Sequence, residues 1–209
     1  ATQTGFPSSG LNSVQTFTAS GTWTKPADVT KVIVEVQGAG GGGGGSGSSG
    51  KGGGAGGGGY AKKFLDVSNT TTATVTIGSG GTVGNNASGT AGGFSKFIEL
   101  SGSGGWTDVV GNGGALGTYD NGAGGAGGTG TGGDINISGG NGGPRSEDNP
   151  GGGSYFSPSS EDVSSASHTP PDSSPGYGGG GIGSRATWGG AGASGAVGGG
   201  GLVIVWEFK

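Results

Sequence analysis

Short stretches in which apolar and polar residues alternate recur along the chain, separated by long glycine tracts. In 30–36, for example, Val32, Val34 and Val36 fall on one face of an extended segment, which is the two-residue period of a half-buried strand. The pattern predicts strands at 14–19, 30–36, 61–67, 72–77, 94–100, 134–138 and 202–208. Segment 21–28, which contains Pro26, is predicted to be a turn, and no stretch has the period of a helix longer than one turn.

The glycine tracts occupy 38–59, 78–93, 102–133, 139–153 and 176–201, and the chain holds 62 glycines in 209 residues. With only 28% hydrophobic residues, it has too little side-chain bulk for a conventional core along its whole length. Several tracts carry a non-glycine residue at every third position, as at Ala123, Ala126 and Thr129, at Ser138, Asn141 and Pro144, and at Trp188, Ala191, Ser194 and Val197. Three residues per turn is the repeat of the polyproline II helix, whose free backbone groups can bond to neighbouring glycine helices.

We therefore expect a mostly β fold combined with polyglycine II, in which a small β-sandwich-like anchor carries a packed bundle of polyglycine II helices with exposed loops. Residues 1–37, 60–77, 94–100 and 202–209 are assigned to the anchor. The glycine-rich region with its loops takes 38–59, 78–93 and 101–201, intertwined with the anchor in a single domain. The alternative interpretation is that the tracts are flexible, low-complexity linkers.

Composition excludes several classes of function. The chain has no Cys and no Met, which rules out disulfides and Cys-based zinc sites, and its only histidine is His168. Nine scattered basic residues and a net charge of −4 argue against nucleic-acid binding. The longest apolar run, 202–206, is too short to span a membrane. We predict no metal site, because the acidic pairs at 147–148 and 161–162 lack the spacing of a calcium loop. We predict no cofactor, and no enzyme activity because a single distant histidine does not support a catalytic triad.

Candidate binding residues are the aromatic and charged side chains in or beside the glycine tracts and in the Ser/Pro-rich stretch 144–175, which is predicted to be a long polar loop. They are Trp106, Tyr119, Asp120, Arg145, Glu147, Asp148, Tyr155, Phe156, His168 and Tyr177. The pair Tyr155–Phe156 is the preferred anchor, because exposed aromatic residues supply much of the energy of an interface. The alternative is that these rings only cover the scaffold. Trp23 and Trp206 lie beside strand signals and are predicted to be core residues.

The block from Phe17 through Trp23 to Val36, which leads directly into a run of glycines, resembles the opening of the glycine-rich receptor-binding domains at the tips of bacteriophage tail fibres. Three further stretches are similar to that family: 58–63, 132–137 and the end of the chain at 200–206. The glycine-rich adhesins of T-even-like phages, which stack polyglycine II helices into a sandwich, are similar in kind.

The resemblance implies a tail fibre tip adhesin in the virion, made in the host cytoplasm, which binds a bacterial surface receptor and so determines host range. The receptor would be an outer-membrane protein, lipopolysaccharide or capsule, and the other partner would be the tail fibre shaft. A homotrimer is expected by analogy with fibre shafts, and a monomer is the alternative. Two other functions remain open: a structural or ice-binding glycine-helix protein, and a depolymerase acting on surface polysaccharide.

Overall fold

The computed structural model describes residues 10–47, 50–83, 86–102, 105–120, 122–144, 149–160, 176–184 and 194–209. Within these ranges the chain is all-β, with ten strands and no helix. The strands are β1 (Leu11–Phe17), β2 (Gly21–Thr24), β3 (Lys31–Gln37), β4 (Tyr60–Asp66), β5 (Thr70–Thr76), β6 (Ser95–Gly102), β7 (Val109–Gly111), β8 (Gly130–Thr131), β9 (Ile135–Ile137) and β10 (Leu202–Phe208).

The strands form two five-stranded antiparallel sheets. The first sheet has the order β1-β10-β3-β4-β9, and the second has the order β2-β5-β6-β7-β8. The seven strands predicted from alternation are confirmed, with shifts of a few residues at their ends.

The inward side chains of both sheets form one buried cluster, because every second residue of a strand points to the same face. Its members are mainly valines, with Trp23 and Phe97 as the largest rings: Trp23, Val29, Val32, Val34, Val36, Ala61, Leu65, Val67, Ala73, Val75, Phe97, Val109, Val203 and Val205. The β anchor is therefore held together by an ordinary hydrophobic core, although the chain as a whole is poor in apolar residues.

Two expectations need correction. The predicted turn at 21–28 begins with a strand, since Gly21–Thr24 pairs with β5 and Pro26 follows it. Trp23 is fully buried as predicted, whereas Trp206 lies half-buried on the outer face of the first sheet and donates to Glu35 at 2.9 Å. In strand β10, Val203 and Val205 point inward, so alternation places Trp206 on the opposite face.

A buried carboxylate links the two sheets at one end of the core. Glu207 in β10 is fully buried and accepts hydrogen bonds from Trp23 Nε1 at 2.6 Å and from Gln15 Nε2 at 2.7 Å. The hydroxyl of Ser13 donates to the same carboxylate. Such a charge is tolerated in a core only when its oxygens are satisfied, as they are here.

The glycine tracts leave the sheets as long excursions between consecutive strands. Residues 38–59 connect β3 to β4, residues 77–94 connect β5 to β6, and residues 112–129 connect β7 to β8. Each excursion runs out and back, as its own hydrogen bonds show: Gly38 to Gly59, Gly93 to Ser79, and Asn112 to Thr129. We call the packed parts of these excursions, together with segments 139–144, 149–153, 178–184 and 194–201, the glycine block.

Candidate binding surfaces on the glycine block

Hydrogen bonds from the central segment of the block, 38–45, rotate among three neighbours with a period of three residues. Its N–H groups donate in turn to segments 53–59, 87–93 and 196–199. The bonds run from Gly38, Gly41 and Gly44 to Gly59, Gly56 and Gly53; from Ala39, Gly42 and Gly45 to Gly93, Thr90 and Ala87; and from Gly40 and Gly43 to Gly199 and Ala196. The donor–acceptor distances are 2.8–3.0 Å.

The carbonyl groups of the same segment accept from further neighbours. Gly114, Gly117 and Asp120 donate to Ala39, Gly42 and Gly45; Gly181 and Ser184 donate to Gly41 and Gly44; and Gly81 donates to Gly40. Segment 38–45 is thus surrounded on all sides by backbone, and its own residues are fully buried. Segment 52–59 makes the same kind of rotating contacts.

Side chains have almost no room inside this block. At most of its glycines, an added Cβ would lie under 3.0 Å from a backbone atom of a neighbouring segment. At Gly56, for example, it would be 2.5 Å from the carbonyl carbon of Ala126 and 2.9 Å from the nitrogen of Gly127. The glycines are therefore required by close approach of backbones, as expected for ordered packing and not for a linker.

The excursions reverse direction at one common end of the block, away from the sheets. Gly45 in the first excursion contacts both of the others there, because its N–H donates to the carbonyl of Ala87 and its carbonyl accepts from Asp120 N–H at 3.4 Å. Residues Asn149 and Ser184 join the same end through bonds to Gly183 and Gly52. We call this surface the far end.

Of the candidate binding residues, Tyr119 and Asp120 lie at the far end. Tyr119 is 36% exposed, and its backbone N–H donates to the hydroxyl of Ser88 at 3.0 Å. Asp120 has a φ of 34°, a conformation that non-glycine residues seldom adopt, and its carboxylate lies against Gly50. Backbone strain of this kind often accompanies a functional position.

Another three candidates lie at the opposite end of the block, where it meets the first sheet. Residues 154–157, here called the border turn, are closed by a hydrogen bond from Ser154 N–H to the carbonyl of Ser157 at 2.8 Å. The hydroxyl of Ser154 donates to the carbonyl of Tyr177 at 2.6 Å. Tyr155 and Tyr177 are 54% and 42% exposed, so this border carries two exposed aromatic side chains.

The border turn packs on Tyr60, the first residue of β4. The rings of Tyr60 and Tyr155 stack with centroids 4.0 Å apart at 18°, and Phe156 contacts Tyr60 edge-on at 5.9 Å. The hydroxyl of Tyr60 donates to Glu35 at 2.8 Å. Burial raises the pKa of Tyr60 well above its ordinary value of 10.0, and the hydrogen bond and negative charge of Glu35 raise it further.

The remaining candidates are elsewhere. Trp106 is half-buried and packs against the core, where its ring stacks on Phe97 at 6.1 Å and 16°. Arg145, Glu147, Asp148 and His168 lie outside the described residues. Among the residues that are described, no group of three or more His, Asp or Glu side chains is placed to hold a metal ion.

Sequence reasoning did not single out Tyr60, Glu35 or Lys62, which form the base of the border site. The alternation in 30–36 already placed Glu35 on the face opposite the valines, and Lys62 faces it across the strand pair at 3.6 Å. The missing information was the long-range pairing of β3 with β4, which no local pattern reveals.

A family model described as a glycine-rich domain matches residues 13–205. The chain belongs to this glycine-rich domain family. The match spans both sheets and the whole glycine block, so strands and glycine tracts together constitute the family's domain. Comparison with curated proteins returns no match.

Proposed function

We propose that this glycine-rich domain is a non-enzymatic adhesin at the tip of a bacteriophage tail fibre, where it binds a bacterial surface receptor. The tail fibre assignment rests on the resemblance of 17–43 and 200–206 to such tips. The observation that carries the binding role is the rigid block itself, which holds Tyr119 and Asp120 at its far end and Tyr155 and Tyr177 at its border. Loops held on a rigid scaffold are where recognition commonly occurs.

We further propose that the segments of the block are polyglycine II helices. The rotation of hydrogen-bond partners every three residues supports this, since that helix has three residues per turn and no internal hydrogen bonds. Six surrounding segments give every N–H of segment 38–45, and the C=O groups of residues 39–42, 44 and 45, backbone partners on different sides. Such a block loses little entropy on binding, because its surfaces are already ordered.

The partners in this proposal are the fibre shaft, joined through the β anchor, and a receptor that is an outer-membrane protein, lipopolysaccharide or capsule. A homotrimer would add avidity to modest single-site affinity. The domain would thus function in the virion.

The test is binding of fluorescently labelled protein to a panel of Gram-negative strains, measured by flow cytometry. We expect saturable binding to a subset of strains. This binding should be weaker in at least one of the variants Tyr119→Ala and Tyr155→Ala, and in the double variant. A matched control is Thr74→Ser on the outer face of the second sheet, far from both surfaces. The proposal is contradicted if the protein binds saturably to none of the strains, or if the double variant binds as well as the unaltered protein.

A second candidate function has a specific structural basis. Two rows of exposed residues with a three-residue period run side by side on the outside of the block: Ala123, Ala126 and Thr129, and Ser138, Asn141 and Pro144. Asn141 Oδ1 accepts from Gly127 N–H at 2.9 Å and joins the rows. A regular face of small residues is what an ice-binding protein would need, and thermal hysteresis in a nanolitre osmometer tests this directly.

A further inference from the structure

The border turn presents one aromatic ring to solvent on a fixed base. Tyr155 is 54% exposed, whereas Tyr60 beneath it is 2% exposed. Stacking at 4.0 Å covers one face of the Tyr155 ring, and Phe156 meets it edge-on at 5.0 Å and 88°. The exposed area of Tyr155 is therefore mainly the ring face that points away from Tyr60.

The base under this ring is rigid. Glu35 accepts from Tyr60 at 2.8 Å and from Trp206 Nε1 at 2.9 Å, so its two oxygens hold side chains from two strands. The turn itself is closed by the Ser154–Ser157 hydrogen bond and tied to the carbonyl of Tyr177. A ring held in this way has little conformational entropy left to lose on binding.

One cationic side chain, Lys62, lies on the same face of β4 as Tyr60, two residues along the strand. The ammonium of Lys62 lies 3.6 Å from Glu35, the carboxylate that fixes Tyr60, and the Lys62 side chain is 37% exposed. It can donate to a ligand without leaving the carboxylate. The site thus combines a flat apolar ring face with a hydrogen-bond donor on the same face of the sheet.

The geometry points to a carbohydrate-binding platform at the border turn, in which Tyr155 stacks on the C–H face of a pyranose and Lys62 donates to its hydroxyls. This inference rests on the proposed adhesin function and names the ligand class of one of its two surfaces, a bacterial surface glycan. A pyranose has the matching chemistry, since one face of the ring is apolar and its rim carries hydroxyls that must stay hydrogen-bonded.

A protein partner fits this site less well. A stable protein interface covers about 800 Å² on each partner, and Tyr155 lies one ring layer, 4.0 Å, outside Tyr60. A single sugar unit needs only the ring itself.

Saturation-transfer NMR tests the inference with two probe sets: methyl pyranosides of glucose, galactose, mannose and N-acetylglucosamine, and oligosaccharides released from lipopolysaccharide by mild acid. We expect at least one probe to receive saturation through its C–H face. Tyr155→Ala should weaken binding by at least about tenfold, as for other central aromatic anchors, whereas Tyr155→Phe keeps the stacking face and should lose only a few-fold. Phe94→Ala is the matched aromatic control, because Phe94 is 49% exposed and precedes β6 of the second sheet, and this variant should bind sugars like the unaltered protein.

The inference is overturned if no probe binds, or if Tyr155→Ala binds sugars as well as the Phe94→Ala control does. Binding of Tyr155→Ala and Tyr119→Ala to intact cells separates this failure from failure of the adhesin proposal. Cell binding that survives Tyr155→Ala but is lost in Tyr119→Ala would keep the adhesin and reject the platform. Cell binding lost in Tyr155→Ala without any sugar binding would assign the border turn to a protein receptor and also reject the platform.

Discussion

Replacing Gly56 by alanine is expected to destabilise the whole domain, although it adds only one methyl group. The new Cβ would lie 2.5 Å from the carbonyl carbon of Ala126 and closer still to its oxygen. Both are backbone atoms, so no side chain can rotate away. The backbone at Gly56 is not in the left-handed region, which leaves the steric overlap as the reason for the effect.

The expected loss can be worked from the bonds around the site. Gly56 donates to Ala115 at 2.9 Å and accepts from Gly41 at 3.0 Å, so moving this segment by roughly 1 Å would stretch both bonds. Overpacking costs about 1–3 kcal/mol, and each buried bond that is pulled apart adds about 1 kcal/mol or more, for a total of about 3–5 kcal/mol. For a domain of this size that lowers Tm by roughly 6–20 °C.

Thermal and urea unfolding, followed by tryptophan fluorescence, measure this loss. The matched control is Gly21→Ala in strand β2, where no atom lies within 4 Å of the added Cβ. There alanine should be neutral or stabilise by up to about 1 kcal/mol, because it restricts the unfolded chain. A Gly56→Ala protein that melts within 2 °C, roughly 1 kcal/mol, of the unaltered protein would refute ordered packing of the block and favour a linker.

Three further predictions concern the β anchor and its border. Glu207→Ala should destabilise the domain by about 2–4 kcal/mol in urea unfolding, because it leaves the buried Trp23 N–H without an acceptor. The raised pKa of Tyr60 means that its contribution to stability is complete below pH 10.0 and is lost as the pH rises above it, so Tyr60→Phe should flatten the fall in stability between pH 9 and 11.5. The lowered pKa of Asp66 means that its contribution is present above pH 3.8 and is lost as the pH falls below that value, so Asp66→Asn should flatten the acid limb of the same profile.

Local pattern was enough to predict the long strands. In 202–208 and 30–36, valines or other apolar residues recur at every second position, and the strands found there begin and end within one residue of the predicted bounds. The short strands β7 and β8 were not predicted, because they hold only three and two residues inside glycine-rich sequence. Their pairing is decided by the partner strand, which local sequence does not encode.

The candidate surfaces were predictable only in part. Aromatic residues in polar or glycine-rich surroundings pointed to Tyr119, Tyr155 and Tyr177, which are all at least one-third exposed. Their separation into a far end and a border site follows from long-range contacts, such as Tyr155 on Tyr60 and Asp120 on Gly45. Trp106 shows the same limit, since nothing in the glycine-rich sequence around it indicates that its ring stacks on Phe97.

The packing of the block also determines where the sequence is free to vary. In the outer segment 122–130, Gly122, Gly125 and Gly128 are buried, whereas Ala123, Ala126 and Thr129 are exposed. Only one residue in three can therefore carry a side chain there, and inside the block the buried side chains are few, such as those of Ala39, Ala55 and Ile182. New chemistry can enter without disturbing the backbone hydrogen bonds only on the outer rows, at the far end and at the border turn. A binding protein built on such a block can thus change what it binds at these surfaces while its scaffold remains constant.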